Sequence, residues 1–226
     1  MASSIGRWAL LTGGAASFAG LIMNTPAYAQ LPATTVVSFA ETAPGSLPTV
    51  FTPGLTGGGG PVAWRVVADE SVPSRRALAQ TSSDRTDARY PICIYDLVSA
   101  RDIDVAVRFK PVAGSVDQAG GIIVRVVDAN SYHVLRANAL EDNVRLYHVI
   151  RRRRSEFGGA DVRVRSGVWQ ALRLRVEGAR FQVHLEGRPL FEASDSRLAG
   201  PGRIGLWTKA DSVTHFDQLA YAILRV

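Results

Sequence analysis

Apolar residues fall at every second position through most of this chain. Ile103, Val105, Val107 and Phe109 alternate with charged or small residues, the spacing of a strand with one buried face. Gly120-Gly121 opens a run over residues 122–127, and Asp128-Ala129-Asn130-Ser131 turns it into another over 132–136. Residues 138–143 turn again, into 144–149. Gly158-Gly159 precedes a further expected strand over 161–165. After Gly167-Val168-Trp169, Leu172, Leu174 and Val176 share one face and Arg173 and Arg175 the other. Phe181, Val183 and Leu185 oppose Gln182, His184 and Glu186 in the same way. Residues 202–207 and 213–217 close the series.

The first half reads more sparsely. Strands are expected over 35–39, 64–67 and 91–97, with a Gly/Pro-rich loop ending in Gly57-Gly58-Gly59-Gly60-Pro61. Residues 82–87 read as a polar loop. Residues 75–80 predict one short turn of helix, and no ten-residue window carries a helical stripe. Short strands separated by turn signals predict an all-β sandwich of two antiparallel sheets. No repeat of 20–50 residues is visible.

Residues 1–29 read as a cleaved export signal. Arg7 precedes an apolar, small-residue run, and Ala27-Tyr28-Ala29 has the small-x-small form read by signal peptidase. This predicts a periplasmic or secreted protein with one domain over 30–226. No later segment has the roughly 18 apolar residues of a membrane span. Cys93 is the single cysteine, so no intrachain disulfide or cysteine-based metal site can form; its neighbours Ile92 and Ile94 predict a buried position.

The net charge is +6, and Lys110 and Lys209 are the only lysines among 26 basic residues. Arginines are scattered through every strand, which speaks against a nucleic-acid stripe. The tract Arg151-Arg152-Arg153-Arg154 predicts a solvated strand end or a protected sheet edge. Arg125, Tyr132, Arg136, Arg145 and Tyr147 alternate with apolar neighbours. If their strands are adjacent, they share one wet face, an Arg/Tyr array suited to binding.

Two segments carry a resemblance. Residues 120–132 (GGIIVRVVDANSY) and 136–147 (RANALEDNVRLY) are similar to motifs of concanavalin A-like, laminin-G-like jelly rolls. With Gly167-Val168-Trp169, Glu186-Gly187 and residues 205–212 (GLWTKADS), they resemble the 3-keto-disaccharide hydrolase domain family over about residues 60–222. The resemblance implies a jelly-roll sandwich with a concave face and a role in sugar handling.

Sugar binding needs aromatic plates and planar polar groups. Tyr132, Tyr147 and Trp207 are the expected plates. Arg125, Arg136, Asn138, Asn143, Arg145 and Lys209 are the expected hydrogen-bonding groups, with Asp211 beside them. Trp207 has opposite parity to Ile204 and Leu206, which predicts exposure. Trp64 and Trp169 each start a strand and are expected in the core.

An ordinary glycosidase needs two carboxyl groups flanking the bond, and no Glu-x-Asp-x-Glu pattern is present. A 3-oxo-glycoside has an acidified C2 proton, so a single base would serve. His133, His148, His184 and His215 are the candidate bases, and His215 stands out for following the Trp207–Asp211 segment. Their spacing assigns no metal, and distant strands leave a calcium or catalytic metal open. Three readings result: a saccharide-binding domain, an enzyme cleaving 3-oxo-glycosides, and a structural or protein-interaction module of the cell envelope.

Overall fold

The computed structural model describes residues 34–224; the expected export signal lies outside the described residues. Fifteen strands follow in order: β1 (Thr35–Val37), β2 (Phe51–Gly57), β3 (Trp64–Ala68), β4 (Arg76–Gln80), β5 (Arg89–Ala100), β6 (Ile103–Ala113), β7 (Ala119–Asp128), β8 (Ser131–Asn138), β9 (Asn143–Ile150), β10 (Arg153–Asp161), β11 (Gln170–Glu177), β12 (Arg180–Leu185), β13 (Arg188–Ser194), β14 (Gly202–Trp207) and β15 (Val213–Ile223). All pairings are antiparallel. One sheet has eight strands, β13-β12-β11-β6-β15-β4-β3 with β1 also on β15. The other has seven, β10-β9-β8-β7-β14-β5-β2. Among the described residues no helix is long and apolar enough to cross a membrane.

The alternation read from the sequence sorts side chains as expected in most strands. Leu172, Leu174, Val176, Phe181 and Val183 pack between the sheets with Ile103, Val105, Val107 and Phe109. Cys93 lies in the same layer, and burial pushes its thiol pKa well up. Trp64 is also in this core, against Phe216.

Three expectations are corrected. Residues 76–80 form strand β4, not a helical turn. Pairing with β3 on one side and β15 on the other outweighs the helix preference of Ala and Leu. Gly158 and Gly159 lie inside β10, and the chain leaves the sheet after Asp161. A Cβ on Gly158 would stand 2.6 Å from that of Ala193, so this glycine marks a close approach between the edges of the two sheets, not a turn. Trp169 is not in the core. It lies half-exposed on the outer face of the eight-stranded sheet, its Nε1 donating to Ser71 Oγ at 2.8 Å.

The seven-stranded sheet is strongly curled. Tyr132 on β8 and Thr56 on β2 are four strand spacings apart, about 19 Å in a flat sheet. Their hydroxyl oxygens are 2.8 Å apart. Arg152, in the turn before β10, donates to the carbonyl of Gly57 on β2 at 2.7 Å. The outer face is therefore concave, and it encloses a second apolar layer: Ile92, Ile94, Ile123, Val134, Val149, Tyr132 and Trp207.

His133 and His148 point the other way, into the sandwich. His133 is fully buried against Phe157 and Phe181, and neither ring nitrogen has a hydrogen-bond partner among the described residues. His148 Nδ1 meets Asp195 at 2.7 Å. Burial pushes the His133 pKa down to about 4, and nearby Asp195 only partly offsets it. The unfolded chain therefore takes up this proton first, and stability is lost as pH falls from about 6.5 towards about 4. The full effect is about 3 kcal/mol. His133→Leu is expected to flatten that slope, measured by urea unfolding at about pH 7 and about pH 4.5. An unchanged slope would exclude His133 as the group.

Candidate functional site

The concave face is floored by aromatic rings. Trp207 leaves β14 on the parity opposite to Ile204 and Leu206, as expected, but it is fully buried and not exposed. Tyr90, at the start of β5, stacks on it with centroids 5.6 Å apart and planes 17° apart. Tyr147 on β9 lies in the same layer. The Arg154 guanidinium carbon sits 4.8 Å from the Tyr90 ring centre and 4.5 Å from that of Tyr147. A cation over ring faces is held by the quadrupoles of both.

A network of ion pairs lies beside these rings. Lys209, directly after β14, donates to Asp117 at 2.8 Å and to Asp87 at 2.9 Å. Asp117 is fully buried. Its pKa is raised by burial, although Lys209 and Arg136 pull it down. The Lys209 pKa is raised because its two carboxylates outweigh its own burial. Arg136 on β8 donates to Glu141 at 2.8 Å and to Asn143 Oδ1 at 2.6 Å, and Asn143 Nδ2 donates to Glu141 at 3.1 Å. Arg136 also lies 5.6 Å from the Tyr147 ring centre.

Several expected residues act as supports. The Asp211 carboxylate accepts the backbone N–H groups of Ser115, Val116 and Asp117, which shapes the loop carrying Asp117. Burial raises its pKa, but those amides more than offset it and hold it low. Asn138 Oδ1 accepts from the amides of Leu140 and Glu141, fixing the turn that presents Glu141. Tyr132 is sealed beneath the layer, with its pKa pushed up to about 12 by burial. Arg145 shares the face but pairs along its edge with Asp161 and with Glu156 at 3.6 Å.

Two expected residues lie elsewhere. Arg125 has φ of 50° at a bulge in β7, so the alternation slips by one residue: Val124 and Val126 fall in different apolar layers. Its side chain is buried, donating to the carbonyls of Arg101 at 2.8 Å and Gly178 at 2.5 Å. His215 belongs to β15 of the other sheet. There Asp69 holds it at 2.7 Å, together with Lys110 at 2.5 Å. None of the four histidines lies on the concave face.

Arg154, Tyr90, Asp117 and Asp87 were not among the sequence candidates. Arg154 sat inside an arginine tract that resembled a solvated strand end, and indeed β10 is an edge strand. Tyr90 closed a polar stretch. Arg154 reaches Tyr147 from the neighbouring strand, and only the curl brings Tyr90 to them. Among the described residues no group of three His, Cys, Asp or Glu is placed to hold a metal ion.

The architecture is that of an all-β jelly-roll sandwich with likeness to carbohydrate-binding folds. It superposes on carbohydrate-binding module CBM66 from Bacillus subtilis with a TM-score of 0.61 and 17% identity, over 77% of this chain and 96% of that one. Domain 4 of AbnA, a GH43 extracellular arabinanase from Geobacillus stearothermophilus, in complex with arabinotriose, gives 0.53 and 15% over 83% and 92%. A Bacillus subtilis protein of unknown function with a galectin-like fold gives 0.52 and 14% over 76% and 90%. At these identities the likeness is one of fold. No family model matches the sequence, and no curated protein matches it.

Removing the amine opposite a buried carboxylate leaves an uncompensated charge. Lys209→Met is expected to cost about 3 kcal/mol in urea unfolding, and Asp117→Asn in the same chain to restore part of it. Equal stability of Lys209→Met and the parent would show that the pair does not hold this end of the sheet.

Proposed function

We propose that this protein binds a saccharide on the concave face of its seven-stranded sheet. The observation that carries the reading is the stack of Tyr90 on Trp207, with Arg154 and Tyr147 beside it and the Lys209–Asp117 and Arg136–Glu141 pairs along the rim. The half-exposed Tyr90 side chain, backed by Trp207 and Arg154, offers apolar contact to a sugar, and the paired side chains offer donors and acceptors for its hydroxyls. Two neighbours in fold support the class, since one is a carbohydrate-binding module and the other was solved with arabinotriose.

Binding is favoured over cleavage of a 3-oxo-glycoside. His215, the base that cleavage would have used, lies on the opposite sheet against Asp69, and the rim carboxylates Asp117, Asp87 and Glu141 are each tied to a cation. The Ala27-Tyr28-Ala29 segment fits a protein that meets its glycan outside the cytoplasm.

Glycan-array screening followed by titration calorimetry tests the reading. A specific oligosaccharide is expected to bind, and Tyr90→Ala to weaken it about tenfold or more. Absence of binding to every glycan, or unchanged affinity in Tyr90→Ala, would sink it.

A further inference from the structure

Arg154 has no carboxylate within ion-pair distance among the described residues, although Arg136, Lys209 and Arg145 on the same face do. Arg136 has Glu141 at 2.8 Å, Lys209 has Asp117 at 2.8 Å and Asp87 at 2.9 Å, and Arg145 has Asp161 and Glu156. Asp87 feels the Arg154 charge, but Lys209 already holds it. Arg154 Nη1 is buried without an acceptor among the described residues. The guanidinium is held instead between Tyr90 and Tyr147, rings from β5 and β9, which lie five and one positions from β10 in the sheet order β10-β9-β8-β7-β14-β5.

Ring faces stabilise a cation, but they supply no oxygen in the plane of its N–H groups. Arg136, a second guanidinium, approaches the same Tyr147 ring at 5.6 Å. An unpaired guanidinium in a concave, partly desolvated site is completed best by a planar anion that accepts two parallel N–H bonds. A sugar hydroxyl would satisfy the donor and leave the charge. The chain's net charge of +6 draws polyanions to the surface in the same sense.

We infer that the bound saccharide is acidic, a uronic-acid glycan whose carboxylate pairs with Arg154 between Tyr90 and Tyr147. The inference rests on the saccharide-binding reading above and narrows its ligand class. It assigns Arg154 the selective contact and leaves Tyr90, backed by the buried Trp207, as the apolar contact for either an acidic or a neutral ring.

The experiment compares uronic-acid oligosaccharides with the same chains after their carboxylates are reduced to primary alcohols, by titration calorimetry. The acidic form is expected to bind about tenfold tighter or more at low salt, with the difference shrinking as salt is raised. Arg154→Met is expected to erase the preference and Arg154→Lys to keep part of it, with circular dichroism checking that both fold. Equal binding of acidic and reduced forms overturns the inference and leaves saccharide binding standing. A sulfated neutral glycan that binds as tightly as the uronate overturns the assignment of the carboxylate. Failure of acidic, reduced and all other neutral glycans overturns both readings. If Arg154→Met does not fold, the comparison of ligands on the parent protein still decides.

Discussion

Both faces of the seven-stranded sheet carry apolar side chains, and only one of them has a second sheet to pack against. The other must be kept from water by the sheet's own curl. Ile92, Ile123, Val134 and Trp207 are enclosed in this way, while Tyr132 reaches across to Thr56 and Arg152 reaches Gly57. Gly57 has φ of 90°, a conformation that costs glycine nothing, at the very strand end where that contact is made. The concavity is thus a by-product of burying a second apolar layer, and the groups of the candidate site sit where its opposite flanks come together.

The polar groups around this layer are arranged in pairs because the setting is poorly hydrated. Asp117 could not stay buried without Lys209, nor Arg136 without Glu141 and Asn143. Asp211 and Asn138 work one step further back, by fixing the loops from which Asp117 and Glu141 project. The opposite sheet has its own polar group, Asp69 with Lys110 and His215, beside a Trp169 ring that Arg108 and Lys110 cover at about 5 Å.

Much of the fold was legible because period-two alternation reports burial directly. It held for Leu172–Val176 and Phe181–Leu185, and for the turns after Asp128 and Asn138. It failed where a residue is set by a partner distant in sequence. Arg125 sits at a bulge that shifts the count by one, Gly158 answers to Ala193, and β4 is a strand because β3 and β15 flank it. The site divided along the same line. Parity put Arg136, Tyr147 and Trp207 on this face, and Asn143 and Lys209 were named by residue type. Arg154 borders Tyr147 from the neighbouring strand, and Tyr90 borders Trp207 and Asp117 borders Lys209 in the same way; only the meeting of Arg154 with Tyr90 depends on the curl, which no local pattern encodes. Trp207 was placed on the correct face and given the wrong exposure, since parity tells which side a residue faces and not what covers that side.

Arg89 bears on how such a rim would meet a ligand. Its guanidinium is fully buried and donates to the carbonyls of Gly60 at 3.2 Å, Pro61 at 2.7 Å and Ala210 at 3.1 Å, and to Ser82 Oγ at 3.2 Å. A Cβ on Gly59 would stand 2.6 Å from the Arg89 Cδ, so the glycine-rich loop is packed down on this side chain, although its composition suggests a loose linker. One side chain therefore knots three loops at the end of the sheet that carries Lys209. Those loops lost their conformational freedom when the chain folded, so a ligand that met them would find little left to order, and contact there would come at low entropic cost.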